Sequence, residues 1–311
     1  MRRGLIPALS VLFAAAAIPA AAAPSPAAFD GRNGRIAFVR IQDGTDREIL
    51  SMKGDGSGTL QLTDNEDEDY SPAWSANGKR IAFISERTGN PDLFIMKADG
   101  TGVQQVTDTP DEEAAPAWSP FGTRIAYSLD PNFTDREIFT IGTDGTHRFK
   151  LTKNNFAEDT NPAWSPRGKR IVFQSDFNPL TIVGDLEIST IKPDGTGLKQ
   201  VTDNAVPDFQ PNWAPDNSRI VFVRQPPGVL DEIFTIRPDG THPLRLTNDT
   251  IEDLSPCYSP NGGRIAFTSQ GRDGFDRDVF AMSSGGSNIV NLTPNDLFDD
   301  RPDWQPVTRP L

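Results

Sequence analysis

The chain has 311 residues, 36% of them hydrophobic and 23% charged, with a formal net charge of −13 at pH 7. That acidity argues against nucleic acid or an anionic membrane as the main partner and suits cations or basic protein surfaces better. No internal apolar segment is long enough to span a bilayer, and Cys257, the single cysteine, leaves no intramolecular disulfide to form.

Residues 1–28 open with Arg2 and Arg3, continue through an apolar stretch from Leu5 to Ile18 and end on small residues from Ala20 to Ala23. This is the layout of a secretory signal, with cleavage expected within 20–28 and an exported product, periplasmic or secreted. Residues 29–311 read as one domain.

From Arg35 onward one pattern recurs six times. Pro72-Ala73-Trp74-Ser75 returns as Pro116-Ala117-Trp118-Ser119 and Pro162-Ala163-Trp164-Ser165, then more loosely as Pro211-Asn212-Trp213-Ala214, Pro256-Cys257-Tyr258-Ser259 and Pro302-Asp303-Trp304-Gln305. The aromatic residues of these anchors fall 44, 46, 49, 45 and 46 positions apart. After each anchor comes a short apolar strand such as Ile81-Ala82-Phe83 or Ile220-Val221-Phe222, then an alternating run such as Ile138-Phe139-Thr140-Ile141. Asp-Gly follows at 55, 99, 144, 194 and 239, with Gly285-Gly286 in the last copy, and a fourth segment closes each unit on Thr63, Thr107, Thr152, Thr202, Thr247 or Thr293. Asp-Gly between β-patterned runs marks a hairpin, and four short strands per period of this length predict a propeller blade.

The fold class expected is therefore all-β: a six-bladed β-propeller of four-stranded antiparallel blades. The chain enters at a second strand, Arg35 to Phe38, and leaves after an isolated first strand, Pro302 to Gln305. Pairing the two ends closes the ring and removes an open edge. Blade 1 is then 35–64 plus 301–305, and blades 2 to 6 begin near residues 70, 114, 160, 209 and 254.

The Pro-Ala-Trp-Ser anchors, the turn before Ile-Ala-Phe and the Asp-Gly hairpins together resemble the propeller repeat of the TolB family, related to WD-repeat propellers. The resemblance covers nearly all of residues 29–311. It implies export and a non-catalytic binding role, because proteins of that family act as periplasmic interaction partners of a peptidoglycan-associated lipoprotein. In that family a small N-terminal α/β domain precedes the propeller. Here the repeats begin close behind the expected cleavage site, so that domain is expected to be absent.

Positions uniform across the copies build blades, whereas a binding site breaks the symmetry. Arg35, Arg80, Arg124, Arg170, Arg219 and Arg264 precede the second strands, and Glu48, Asp92, Glu137, Glu187, Glu232 and Asp278 precede the third. Structural roles such as ion pairs between neighbouring loops are expected for both sets. A third set, Asp69, Glu113, Asp159, Asp208, Asp253 and Asp299, lies three residues before each anchor proline. As a carboxylate ring around one mouth of the channel it is the candidate metal site, for weakly bound calcium rather than a required cofactor; the alternative is that each acid serves its own loop.

Asymmetry falls in the loops between second and third strands on that same face. Phe177, Leu180, Ile182 and Val183 in blade 4, Val229 and Leu230 in blade 5, and Phe209 between them form a candidate partner-binding patch, with Arg40 and Arg224 placed to contact an anionic group near the channel. The expected partner is a protein or peptide, with a cell-wall saccharide as the alternative, and the chain is expected to be monomeric. A purely structural cation-stabilised ring is the third reading. His147 and His242, the only histidines, follow equivalent Asp-Gly pairs, and the sequence has no nucleophile elbow, zinc-spaced cluster or phosphate-binding glycine loop. No catalytic residue is predicted, the enzymatic alternative being a carbohydrate-active lyase or hydrolase that draws an acid/base pair from the carboxylate ring.

Overall fold

Runs that alternate in polarity and are punctuated by glycine turns form twenty-four short strands in the computed structural model, which describes residues 32–42, 46–131, 135–154, 157–176, 186–270 and 276–307. In chain order, β1 (Arg32–Gln42), β2 (Asp46–Lys53) and β3 (Leu60–Gln61) begin the first blade. The second blade comprises β4 (Asp69–Trp74), β5 (Arg80–Ser85), β6 (Asp92–Lys97) and β7 (Gln104–Gln105). The third comprises β8 (Glu112–Trp118), β9 (Arg124–Asp130), β10 (Glu137–Gly142) and β11 (Phe149–Lys150). The fourth has β12 (Asp159–Trp164), β13 (Ile171–Asp176), β14 (Leu186–Ile191) and β15 (Lys199–Gln200). The fifth has β16 (Asp208–Trp213), β17 (Ile220–Arg224), β18 (Glu232–Ile236) and β19 (Leu244–Arg245). The sixth has β20 (Asp253–Tyr258), β21 (Arg264–Gln270), β22 (Arg277–Ser283) and β23 (Val290–Asn291), and β24 (Phe298–Val307) ends the chain.

These strands make six antiparallel four-stranded sheets, and β24 joins the first in the order β24-β1-β2-β3. The ring is thus closed by the C-terminal strand, over a longer span than residues 301–305: the pairing runs from Arg32↔Val307 to Ile41↔Phe298. The first strands of successive blades touch one another all the way round, β24 to β4, β8, β12, β16, β20 and back to β24, so they are innermost.

Because the blades stack face to face, the middle strands bury residues of both parities, and the core divides into clusters at the seams between blades. Trp118 packs with Ile125 and Tyr127 of its own blade against Ala82, Ile84 and Ile95 of the blade before. Cys257 is buried at the seam with the first blade, beside Ile36, Phe38 and Trp304. Such side chains contribute about 1.5–3 kcal/mol each on burial, which makes the seams the main cohesive element of the ring.

The Asp-Gly hairpins expected from the sequence are present as three-residue loops. In the second blade Gly100 N–H donates to Lys97 O at 2.9 Å and Lys97 N–H to Thr101 O at 2.8 Å, and φ is positive at Gly100, at 84°, and again at Gly102, at 67°. Asp99 accepts from both the N–H and the hydroxyl of Thr101, at 3.0 and 2.7 Å. The closing threonines have a purpose the sequence did not disclose. Each hydroxyl of Thr63, Thr107, Thr152, Thr202, Thr247 and Thr293 accepts the N–H that follows the third-strand acid, at 2.8 or 2.9 Å.

Candidate functional site: carboxylate pairs at one mouth of the ring

Every innermost strand is broken by a bulge at the residue before its proline. Ser71, Ala115, Asn161, Gln210, Ser255 and Arg301 all adopt left-handed backbone, with φ between 51° and 58°, and the strand register slips at each. Such a conformation costs a non-glycine residue about 1 kcal/mol. Bonds across the seams offset it: Gln210 N–H donates to Gln174 Oε1 of the preceding blade at 2.8 Å, Ser255 N–H to Gln210 Oε1 at 2.6 Å and Arg301 N–H to Thr268 Oγ1 at 3.1 Å.

Upstream of these bulges, the third uniform set of acids lies within the innermost strands, as their first or second residue, and is buried. Each acid meets the third-strand acid of the preceding blade. The two sets separated in sequence are thereby brought together as six pairs across the seams. Asn65 bridges the first pair, its N–H donating to Glu48 at 2.7 Å and its amide to Asp69 at 2.7 Å. Asn204 does the same between Glu187 and Asp208, at 2.5 and 2.9 Å. Thr109 links Asp92 to Glu113 at 3.4 and 3.0 Å. A polar residue four positions before the innermost acid in every copy, Asn or Thr in five and Asp249 in the other, is the signal by which the sequence could have shown the bridge.

Arginine separates the six innermost acids into two kinds. Arg40 binds Asp299 through two nitrogens at 2.6 and 2.7 Å, and Arg224 binds Asp208 in the same way at the same distances. Arg87 reaches Asp69 at 2.8 Å from the loop after β5. The anionic groups that Arg40 and Arg224 contact are thus the ring's own carboxylates.

Glu113, Asp159 and Asp253 have no arginine beside them among the described residues. Burial pushes Glu113 up to about 8, with Asp92 adding to the rise and Thr109 opposing it. Burial likewise raises Asp159 to about 7 against hydrogen bonds from Ser175, Thr152 and Asn154, and Asp253 to about 7 against Ser269 and Thr247. One oxygen each of Glu113 and Asp159, and both of Asp253, lack a well-formed hydrogen bond. Burial thus favours the protonated form of these three innermost acids, where the other three face guanidinium groups; in two of the same pairs the outer acid is met by a cation, Glu232 by Arg245 at 2.6 Å and Glu137 by Lys150 at 2.9 Å.

Around this mouth the loops carry further acids. Glu68, Glu112 and Glu252 form ion pairs with Arg47, Arg136 and Arg277, while Glu158 is exposed. The loop of residues 225–231 is held at its base by Gln225 N–H to Pro207 O at 3.0 Å and Asp253 N–H to Asp231 O at 2.8 Å. Its tip presents Val229 and Leu230, 44% and 45% exposed, and Phe209 is half-buried on β16 opposite Val223 of β17. Phe177, Leu180, Ile182 and Val183 lie outside the described residues, as does the segment 1–28. His147 and His242 are exposed on hairpins at the opposite end of their blades, each with Nδ1 on a neighbouring threonine hydroxyl, at 2.6 and 2.9 Å. Exposed Lys53, Lys79, Lys97, Lys169, Lys192 and Arg237 occupy that same end, together with the exposed hairpin acids Asp55, Asp99, Asp144, Asp194 and Asp239.

Six four-stranded sheets, the first completed by the C-terminal strand, define a closed six-bladed β-propeller. Residues 24–179 match the model of the TolB beta propeller domain, and the chain belongs to that family. It is 43% identical over 61 residues to the Tol-Pal system protein TolB of Desulfosudis oleivorans, a stretch that is 20% of this chain and 14% of that protein. It is 51% identical over 47 residues to dipeptidyl-peptidase 5 of Porphyromonas gingivalis, covering 15% of this chain and 7% of the other. These matches span only a small part of either relative. The crystal structure of TolB from Acinetobacter baumannii superposes with a TM-score of 0.77 at 22% identity, over 88% of this chain and 67% of that one, which shows the shared fold.

Proposed function

We propose that the chain is an exported, non-catalytic propeller that binds a protein or peptide on the face bearing the carboxylate pairs. The observation that carries this reading is the loop tip of Val229 and Leu230: two exposed apolar side chains on a base fixed by backbone hydrogen bonds, on the same face as Glu158 and the paired loop acids. An apolar centre with a charged surround suits a protein partner that presents its own apolar anchor and basic side chains. The TolB relatives support the same reading, and the signal-like layout of residues 1–28 supports export. The likeness to the peptidase is confined to a repeat-sized segment and supports shared architecture rather than shared chemistry.

The test is capture of the principal partner from envelope extract by the mature chain, with Val229→Ser and Leu230→Ser combined. Interface energy concentrates in few residues, so at least a tenfold loss of capture is expected with the melting temperature unchanged. Undiminished capture by the double variant would remove this patch from the binding face.

A further inference from the structure

The six arginines that precede the second strands were expected to form ion pairs between loops; instead, four of them clamp their own hairpins. The third strands of blades 1, 3, 4 and 5 offer a hydroxyl, and Ser51, Thr140, Thr190 and Thr235 accept from Arg35, Arg124, Arg170 and Arg219 at 2.9, 2.7, 3.1 and 3.1 Å. A carbonyl of the same hairpin accepts a second bond, as Gly197 O does from Arg170 at 2.9 Å.

Blades 2 and 6 carry Ile95 and Ala281 at that position, opposite Ala82 and Ala266 in the ladders. Without a hydroxyl to hold them, both arginines turn onto the indole of the next blade. Arg264 lies 5.9 Å from the Trp304 ring and donates to Gly54 O at 2.7 Å. Arg80 lies 5.0 Å from the Trp118 ring, and its guanidinium donates to no group among the described residues.

Arg80 lines an open cavity of about 540 Å³ with Asn77, Gly78, Lys79, Lys97, Ala98 and Asp99. Both lysines are exposed, and the only acid in the lining, Asp99, is engaged by Thr101. The cation–π contact with Trp118 holds the guanidinium on one side while its N–H groups donate to nothing among the described residues. A planar fork of that kind, with two mobile ammonium groups beside it, matches a phosphate oxyanion.

We propose that this cavity is a phosphate-binding site, with Arg80 as its fork and Lys79 and Lys97 as flanking charges, on the face of the ring opposite the carboxylate pairs. The phosphate is either free or carried by a lipid headgroup. The site is independent of the partner surface at the other mouth.

The decisive variant is Ile95→Thr in the full chain. It restores the hydroxyl that holds the arginine in blades 3, 4 and 5, so Arg80 should return to its own hairpin although no charge has been removed. Calorimetry with inorganic phosphate at low ionic strength should show millimolar binding by the parent, weakened at least fivefold by Ile95→Thr and by Lys79→Gln with Lys97→Gln. The lysine pair is exposed, so that variant carries the test if Ile95→Thr does not fold. Equal phosphate affinity in parent and folded variants, or no binding by the parent, would overturn the proposal. Co-sedimentation with phosphatidylglycerol vesicles that inorganic phosphate competes away assigns the site to a headgroup, and phosphate binding without sedimentation assigns it to the free ion.

Discussion

Arg40 holds Asp299 through two guanidinium nitrogens, at 2.6 and 2.7 Å, across the strand pair that joins the two ends of the chain. Asp299 is fully buried and the arginine partly so, which makes the pair a clasp on the closing blade. Removing one partner of a buried ion pair leaves the other charge uncompensated, whereas replacing both with apolar groups is often neutral.

Arg40→Ala is therefore expected to destabilise the ring by about 3 kcal/mol in urea unfolding, and Arg40→Met with Asp299→Leu to recover most of that loss. Deleting the chain from Asp300 onward removes most of β24 and should lower the melting temperature far more. A truncated chain that melts with the full one would contradict closure by this strand.

Stability should depend on pH in a direction set by the three innermost acids that face no arginine among the described residues. Glu113, Asp159 and Asp253, raised to about 8, 7 and 7, keep their protons in the folded ring at pH values where the unfolded chain has released them. The folded state then binds more protons, so the stability these three groups contribute is fully present below the ordinary carboxylate range, declines as pH rises to about 8 and levels off above it. Asp253→Asn removes one such group and is expected to flatten the decline and to be more stable than the parent at pH 8. Denaturant midpoints measured from pH 5 to 9 decide this.

Calcium at this mouth should meet the same three positions, because the other three carboxylates already face arginine. Metal must displace the protons, so millimolar binding by calorimetry is expected to strengthen above pH 8. Asp253→Asn should reduce it and Asp208→Asn should not. No heat from the parent chain at pH 9 would leave the pairs a purely structural role.

Gly100→Ala is predicted to cost about 2 kcal/mol or more, since φ is +84° and an added Cβ would sit 2.3 Å from Leu62 O of the preceding blade. Gly122→Ala shares a positive φ but has open space around it, so it should cost only the backbone term of about 1 kcal/mol. The difference between their thermal shifts isolates the clash.

Much of this protein is written in local patterns. Trp74 and its five counterparts, the Ile-Ala-Phe strands and the Asp-Gly turns each act within a few residues of themselves, and their recurrence identified six blades and a split first blade before any fold was known. Symmetry among the copies also marked the acids at 69, 113, 159, 208, 253 and 299 as a set. The left-handed residues before the prolines were not legible, because serine, alanine, asparagine, glutamine and arginine carry no common preference for that conformation; the bulge comes from fitting a strand around the channel. Nor could a linear pattern show that Asp69 meets Glu48, or that Ile95 releases Arg80 while Thr140 restrains Arg124. Periodicity specifies what each blade repeats, and packing across the seams decides which charges meet, because electrostatic pairing depends on distances that only ring closure sets.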